Sequence, residues 1–130
     1  MSTTKNIIFT FVIGLLPLTT LADNIMKRTS DGTYIINTTE LAADVEGYAA
    51  PTPVEVYIKK NKIVKVVVLT NKETPKYNAK VKKHMVHKYE GMNVKKGKVQ
   101  EIDGVTGATF TSHSIHENVR RAVAYYKTHK

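Results

Sequence analysis

The chain has 130 residues and a mass of 14.6 kDa, 42% hydrophobic and 24% charged, a size that suits one globular domain and leaves no room for two independent cores. Its 20 Lys and Arg against 11 Asp and Glu give a formal charge of +9, enough to favour anionic partners without choosing among nucleic acid, an acidic surface and an anionic cofactor. With no Cys, disulfides, Cys-based zinc sites, iron–sulfur clusters and a thiol nucleophile are all excluded.

At the N-terminus, Lys5 precedes a run from Ile7 to Leu16 that is apolar except for Thr10 and Gly14. Pro17 breaks the run, and Thr20-Leu21-Ala22 places small residues where signal peptidase reads them. The pattern predicts a secretory signal peptide over residues 1–22, cleaved after Ala22. An uncleaved anchor is the lesser reading, because a span needs about 20 apolar residues. No Cys follows the run, so lipoprotein processing is excluded. Residues 23–130 then form one extracytoplasmic domain, periplasmic or secreted, with membrane association left open. Genomic nucleic acid is absent from such a compartment, so nucleic acid is not expected as a partner, and the lysines read as solvated faces.

Asp31-Gly32 is a turn signal, and Thr33 to Thr39 is β-branched and aromatic enough for a strand. Leu41 to Ala50 reads as an irregular connection or short strand, cut by Gly47 and Pro51. The clearest local pattern follows: Val54, Val56 and Ile58 alternate with polar neighbours, and Val64, Val66 and Val68 repeat the period beyond Lys60-Asn61-Lys62. It predicts a β-hairpin with one buried face. Ile63, Val67 and Leu69 make the second strand apolar on its other side too, which predicts a central strand covered on both faces.

Thr70 to Tyr77 is a polar, Pro-containing loop, a good place for a site. Val81, Met85 and Tyr89 recur every four residues among lysines, so an amphipathic helix is expected from Tyr77 until Gly91. Val99 to Ile102 reads as a short extended segment. A second amphipathic helix closes the chain, with Ile115, Val119, Ala122, Val123 and Tyr126 on one face and Ser112 and Ser114 as candidate N-caps. The expected fold class is α+β: a small, mainly antiparallel sheet with two packed helices.

Between the extended segment and the last helix lies Asp103-Gly104-Val105-Thr106-Gly107-Ala108-Thr109-Phe110-Thr111-Ser112. Gly107 and Ala108 let a ligand approach the backbone, and the helix N-terminus that follows offers amide donors and a positive dipole end to a phosphate. A plain helix-entry loop, capped by Thr111 or Ser112, fits the same residues.

Asp103, Thr106, Gly107, Ala108 and Thr109 match every fixed position of a known pattern: Asp, two variable residues, Ser or Thr, Gly, Ala, then Ser or Thr. The string resembles the FMN-attachment motif of the family that includes the covalent-FMN subunits of sodium-translocating NADH:quinone oxidoreductase and of the related ferredoxin-linked ion pump. Upstream, Glu73-Thr74-Pro75 resembles that family's Glu-Thr-Pro-Gly loop beside the isoalloxazine ring, with Lys76 in place of the Gly. Two motifs in the expected order make the resemblance more specific than either alone.

The resemblance implies that Thr109 Oγ accepts FMN in a phosphodiester bond, attached by a separate flavin transferase that uses FAD and a divalent metal. It implies that Asp103 assists recognition or proton removal, that Thr106, Gly107 and Ala108 shape the loop around the phosphate, and that Thr111 and Ser112 donate hydrogen bonds. Glu73, Thr74 and Pro75 would border the ring, with Tyr77 a stacking candidate. The expected function is an exported electron carrier between a membrane redox donor, or redox complex, and an extracytoplasmic acceptor or reductase. The rival readings are noncovalent FMN binding, a reductase domain, and a cofactor-free cationic binding module.

His84 with His87, and His113 with His116, have spacings compatible with a shared metal, but no third ligand stands at a diagnostic offset, and exposed helix histidines are the plainer account. His113 or His116 near the flavin is a further expectation resting on position alone. No nucleophile elbow is present, so a hydrolase is not expected.

Overall fold

The computed structural model describes residues 24–130, and the predicted signal peptide lies outside them. Four strands form one sheet: β1 (Met26–Arg28), β2 (Tyr34–Asn37), β3 (Val54–Lys59) and β4 (Lys62–Val68), in the order β1-β2-β3-β4. Every pairing is antiparallel, with Ile36 opposite both Met26 and Val56. Two helices, α1 (Pro75–His84) and α2 (Thr109–His129), complete the α+β fold, with a 3-10 turn over Val86–Tyr89 after α1. No helix among the described residues is long and apolar enough to cross a membrane.

Asp31-Gly32 turns the chain as its sequence predicts: the Asp31 carboxylate accepts from the Thr29 hydroxyl and from the Thr33 amide at 3.1 Å, and Gly32 takes φ +88°. Hydrogen bonds from Thr29 and Thr33 hold the Asp31 carboxyl well below the usual carboxylate range. This turn brings β1 against β2. β1 itself carries no legible signal, since three residues give too few positions to show a period.

The β3–β4 hairpin closes through Lys59 opposite Lys62, with Lys60 at φ 53° and Asn61 at φ 63°. That is the two-residue left-handed turn whose twist matches antiparallel strands. Val54, Val56 and Ile58 are fully buried, as their alternation predicts. β4 departs from expectation in two ways. A bulge pairs Tyr57 with Lys65 but Ile58 with Ile63, leaving Val64 as the extra residue, 47% exposed. The phase therefore shifts, and Ile63 joins Val66 and Val68 on the buried face. β4 is also an edge strand, not a central one: Val67 lies half-buried on the outer face, and the apolar run does not report two-sided cover.

Pro75 begins α1, where its missing N–H costs nothing. Val81, Met85 and Tyr89 are all buried, so the four-residue spacing did find the inner face. The α-helix nevertheless ends at His84 rather than near Gly91. Met85 leaves helical geometry at φ −123°, and the chain continues as the 3-10 turn beside β4. α2 lies across β2 and β3, and its predicted stripe of Ile115, Val119, Ala122, Val123 and Tyr126 is at most 3% exposed. Buried hydroxyls and an amide lock it further: Thr38 Oγ1 donates to Asn118 Oδ1 at 2.5 Å, and Thr52 meets Ser114 hydroxyl to hydroxyl at 2.5 Å. This frame aims the N-terminus of α2 at the loops before α1 and after Leu41.

Candidate functional site

The segment before α2 forms no strand over Val99–Ile102; it runs irregularly into the loop 103–108. Two bonds shape the loop, Ala108 N to Val105 O at 2.9 Å and Val105 N to Ser112 Oγ at 2.9 Å, while Gly107 takes φ +83°. α2 starts at Thr109, so Ser112 and Ser114 lie inside the helix instead of capping it. The capping position falls to Ala108, whose side chain has no acceptor. The first helical bond is from Ser112 N to Ala108 O, at 2.9 Å, so the amides of Thr109, Phe110 and Thr111 have no acceptor within the helix. Thr109 itself is exposed at the first helical position, and no acidic residue occupies the first turn.

Glu73 is buried beneath this junction, 3% exposed. Its carboxylate accepts from the amides of Tyr48 at 2.5 Å, Ala49 at 2.7 Å and Thr74 at 3.1 Å, and from the Thr111 hydroxyl at 2.7 Å. Burial pushes the carboxyl up, but the Thr111 hydroxyl and the three amides outweigh it and hold the group below its ordinary value of 4.5. Gly47 makes the approach possible, since a Cβ there would lie 2.2 Å from Glu73 Oε2 and 3.3 Å from Thr111 Cα. Glu73 thus ties three segments together: the loop at 47–49, the start of α1 and the first turn of α2.

Above that clamp opens a cleft of about 220 Å³ lined by Tyr48, Tyr77, Ala108, Thr109, Phe110 and the backbone around Gly107 and Thr111. Tyr48 and Phe110 are 61% and 63% exposed, an unusual expenditure of aromatic surface in a protein of this size. Tyr48 meets Tyr77 edge-on with centroids 5.1 Å apart and lies 6.4 Å from Phe110. Lys76 Nζ stands 5.3 Å from the Tyr77 ring centre.

A second, larger cavity of about 430 Å³ lies along α2 beyond the loop, lined by Gly104, Ser112, His113, His116 and the carboxylates of Glu46 and Glu101, among others. In it His116 Nδ1 pairs with the Tyr89 hydroxyl at 2.7 Å, while the buried Nε2 has no hydrogen-bond partner and lies 3.4 Å from a Glu101 oxygen. Burial, with a contribution from the Glu101 charge, raises the Tyr89 phenol well above its ordinary value. Among the described residues no group of three or more His, Asp or Glu is placed to hold a metal.

Of the residues expected from the sequence, Gly107, Ala108, Thr109 and Thr111 converge on the aromatic cleft, with Tyr77 opposite them. Ser112 faces the larger cavity, where it receives the Val105 amide. Asp103 and Thr106 stand exposed on the loop, while Thr74 and Pro75 lead into α1 and line neither cavity. Glu73 lies below the cleft as a clamp, with its oxygens already engaged. Tyr48 and Phe110 were not foreseen. Phe110 was detectable as an aromatic beside Thr109, whereas Tyr48 stands in a loop whose amides at Tyr48 and Ala49 bond to the Glu73 carboxylate.

Free amides at a helix start, an uncapped first turn and an open cleft walled by three aromatic rings define a module that holds a planar ligand bearing an anionic group. The chain belongs to the FMN-binding domain family: residues 47–124 match that family's model. The matched region runs from Gly47, at the Glu73 clamp, almost to the end of α2. No curated protein and no solved structure matches the chain. The residues present fit a flavin mononucleotide, with amide donors and a bare glycine for its phosphate and aromatic walls for its ring.

Proposed function

We propose that this chain is an exported electron-transfer flavoprotein in which FMN is attached through a phosphodiester to Thr109 Oγ. The observation that carries this reading is the placement of Thr109: an exposed hydroxyl at the first position of α2, beside three amides without helical acceptors and on the rim of the aromatic cleft. In the attachment, a transferase joins Thr109 Oγ to the FMN phosphorus of FAD, the pyrophosphate bond breaks, and AMP leaves with the threonine's proton. Asp103, exposed six residues before the acceptor, is available to the transferase for recognition or for that proton.

The protein's own part is positioning. The start of α2 stabilises the single negative charge that a phosphodiester retains. Gly107 allows close approach of the backbone, and Tyr48, Tyr77 and Phe110 offer ring faces and edges to the isoalloxazine. Glu73 fixes the two sides of the cleft relative to each other without spending its carboxylate on the cofactor. Bound FMN supplies one- and two-electron redox chemistry, so no catalytic dyad is required of the chain. Covalent attachment suits a protein in dilute surroundings, where a loosely held cofactor would be lost by mass action. Support for export is the Lys5, Ile7–Leu16 and Ala22 pattern. The electron partners on this reading are a membrane redox complex as donor and an extracytoplasmic reductase or acceptor.

Intact mass under denaturing conditions tests the attachment. Wild type coexpressed and exported with an active flavin transferase gains FMN less one water, and Thr109→Val does not. If wild type stays unmodified while a control substrate is labelled, FMN is held noncovalently and the domain is a binding or reductase module.

A further inference from the structure

We propose that Lys80 is the residue by which this domain selects a phosphorylated flavin over an unphosphorylated one, its ammonium contacting the phosphate from the α1 side of the loop. The proposal rests on the flavin site described above and adds to it a residue outside both recognised motifs.

Lys80 lies on α1 and Gly107 lies in the loop before α2, yet a Cβ placed on Gly107 would be 2.7 Å from Lys80 Nζ. The ammonium therefore rests beside the bare Cα of a glycine two residues before the helix start. Gly107 has φ +83°, a conformation that also disfavours a side chain there, so both features keep the space above this backbone open to a charged group. Lys80 makes no ion pair among the described residues, and neither helix carries an acidic residue in its first turn. Its neighbour one turn earlier, Lys76, is directed at the Tyr77 ring instead. An exposed ammonium beside the positive end of a helix, with no ion-pair partner among the described residues, is an arrangement that an anion at the same place stabilises. Riboflavin, which has the ring but no phosphate, cannot supply that anion.

The test is a fluorescence-quenching titration of the full chain produced without transferase, against FMN and against riboflavin, repeated with inorganic phosphate as competitor. Wild type binds FMN more tightly than riboflavin, and excess phosphate narrows the gap. Lys80→Ala weakens FMN roughly tenfold with riboflavin unchanged, and Lys80→Arg restores most of the preference. Lys82→Ala, which removes a second exposed charge of the same helix, leaves the preference intact. Equal weakening of both flavins in Lys80→Ala, an equal loss in Lys82→Ala, or an unchanged preference in Lys80→Ala overturns the proposal while leaving the flavin site standing. A wild type that binds neither flavin brings down the site reading and the proposal together.

Discussion

At the scale of single residues, Glu73 shows how far a side chain's role can lie from the motif that flags it. One carboxylate accepts three amides and a hydroxyl, so Glu73→Ala strands buried donors and is expected to cost about 2–4 kcal/mol of stability in a urea titration. Because its folded value lies below the ordinary 4.5, the stability it contributes is fully present above that pH and is lost as the pH falls through the folded value. The melting temperature of Glu73→Gln is therefore expected to fall short of wild type at neutral pH and to converge on it in acid. Parallel curves at every pH would show that the charge is not what the amides respond to. Gly107→Ala places a side chain at φ +83° and is expected to cost about 1–2 kcal/mol, with flavin occupancy reduced further because the new methyl group meets Lys80. The resemblance of the loop 103–109 to a family motif was legible because its residues lie within one short stretch of chain. Glu73 and Tyr48 are separated by 25 positions, and no local pattern announces that one holds the other.

Among the elements, the buried stripe of α2 and the alternation of β3 were legible because each keeps one period over several turns or residues. Ile115, fully buried where α2 crosses the sheet, is the sharpest check on that packing: Ile115→Ala is expected to cost about 2–5 kcal/mol by denaturant titration. The rest was hidden wherever the period changes. The bulge at Val64 shifts the phase of β4 by one residue, and the 3-10 turn after His84 keeps Met85 and Tyr89 inward although the α-helix has ended. Long-range satisfaction of the backbone also overrides local signals. Gly91 N donates to Ile63 O at 2.7 Å and Ile63 N to Met92 O at 2.9 Å, so the segment after the 3-10 turn serves the hairpin. At the far end of α2 the Tyr126 hydroxyl donates to Asn61 Oδ1 at 2.7 Å, pinning the hairpin turn to the last helix. Tyr126→Phe is expected to lose about 0.5–1.5 kcal/mol with flavin binding unchanged, since the cleft lies at the opposite end of the helix.

For the whole molecule, β1 ends the sheet with three residues and β4 with seven, and among the described residues the start of β4 is covered by the segment 91–94, where Lys62 bridges Asn93 and Ile63 bonds to Gly91 and Met92. An uncovered strand edge is a template on which a second chain can pair. β4 resists this by its own irregularity, since Val64 interrupts the ladder in the middle of the strand and Lys62 and Lys65 are exposed on either side of it. The bulge that shifts the pattern of the sequence also breaks the regularity of this edge, and it is expected to disfavour strand-to-strand association. Deleting Val64 would keep Ile63, Val66 and Val68 in phase on the inner face but present a straight, regular edge to solvent. Sedimentation velocity should show wild type as one slow species and the deletion variant drifting to larger ones with concentration; a deletion variant that stays small would mean that the lysines alone suffice. A domain built around one open cleft gains from a sheet edge too irregular to invite its own copies to extend it.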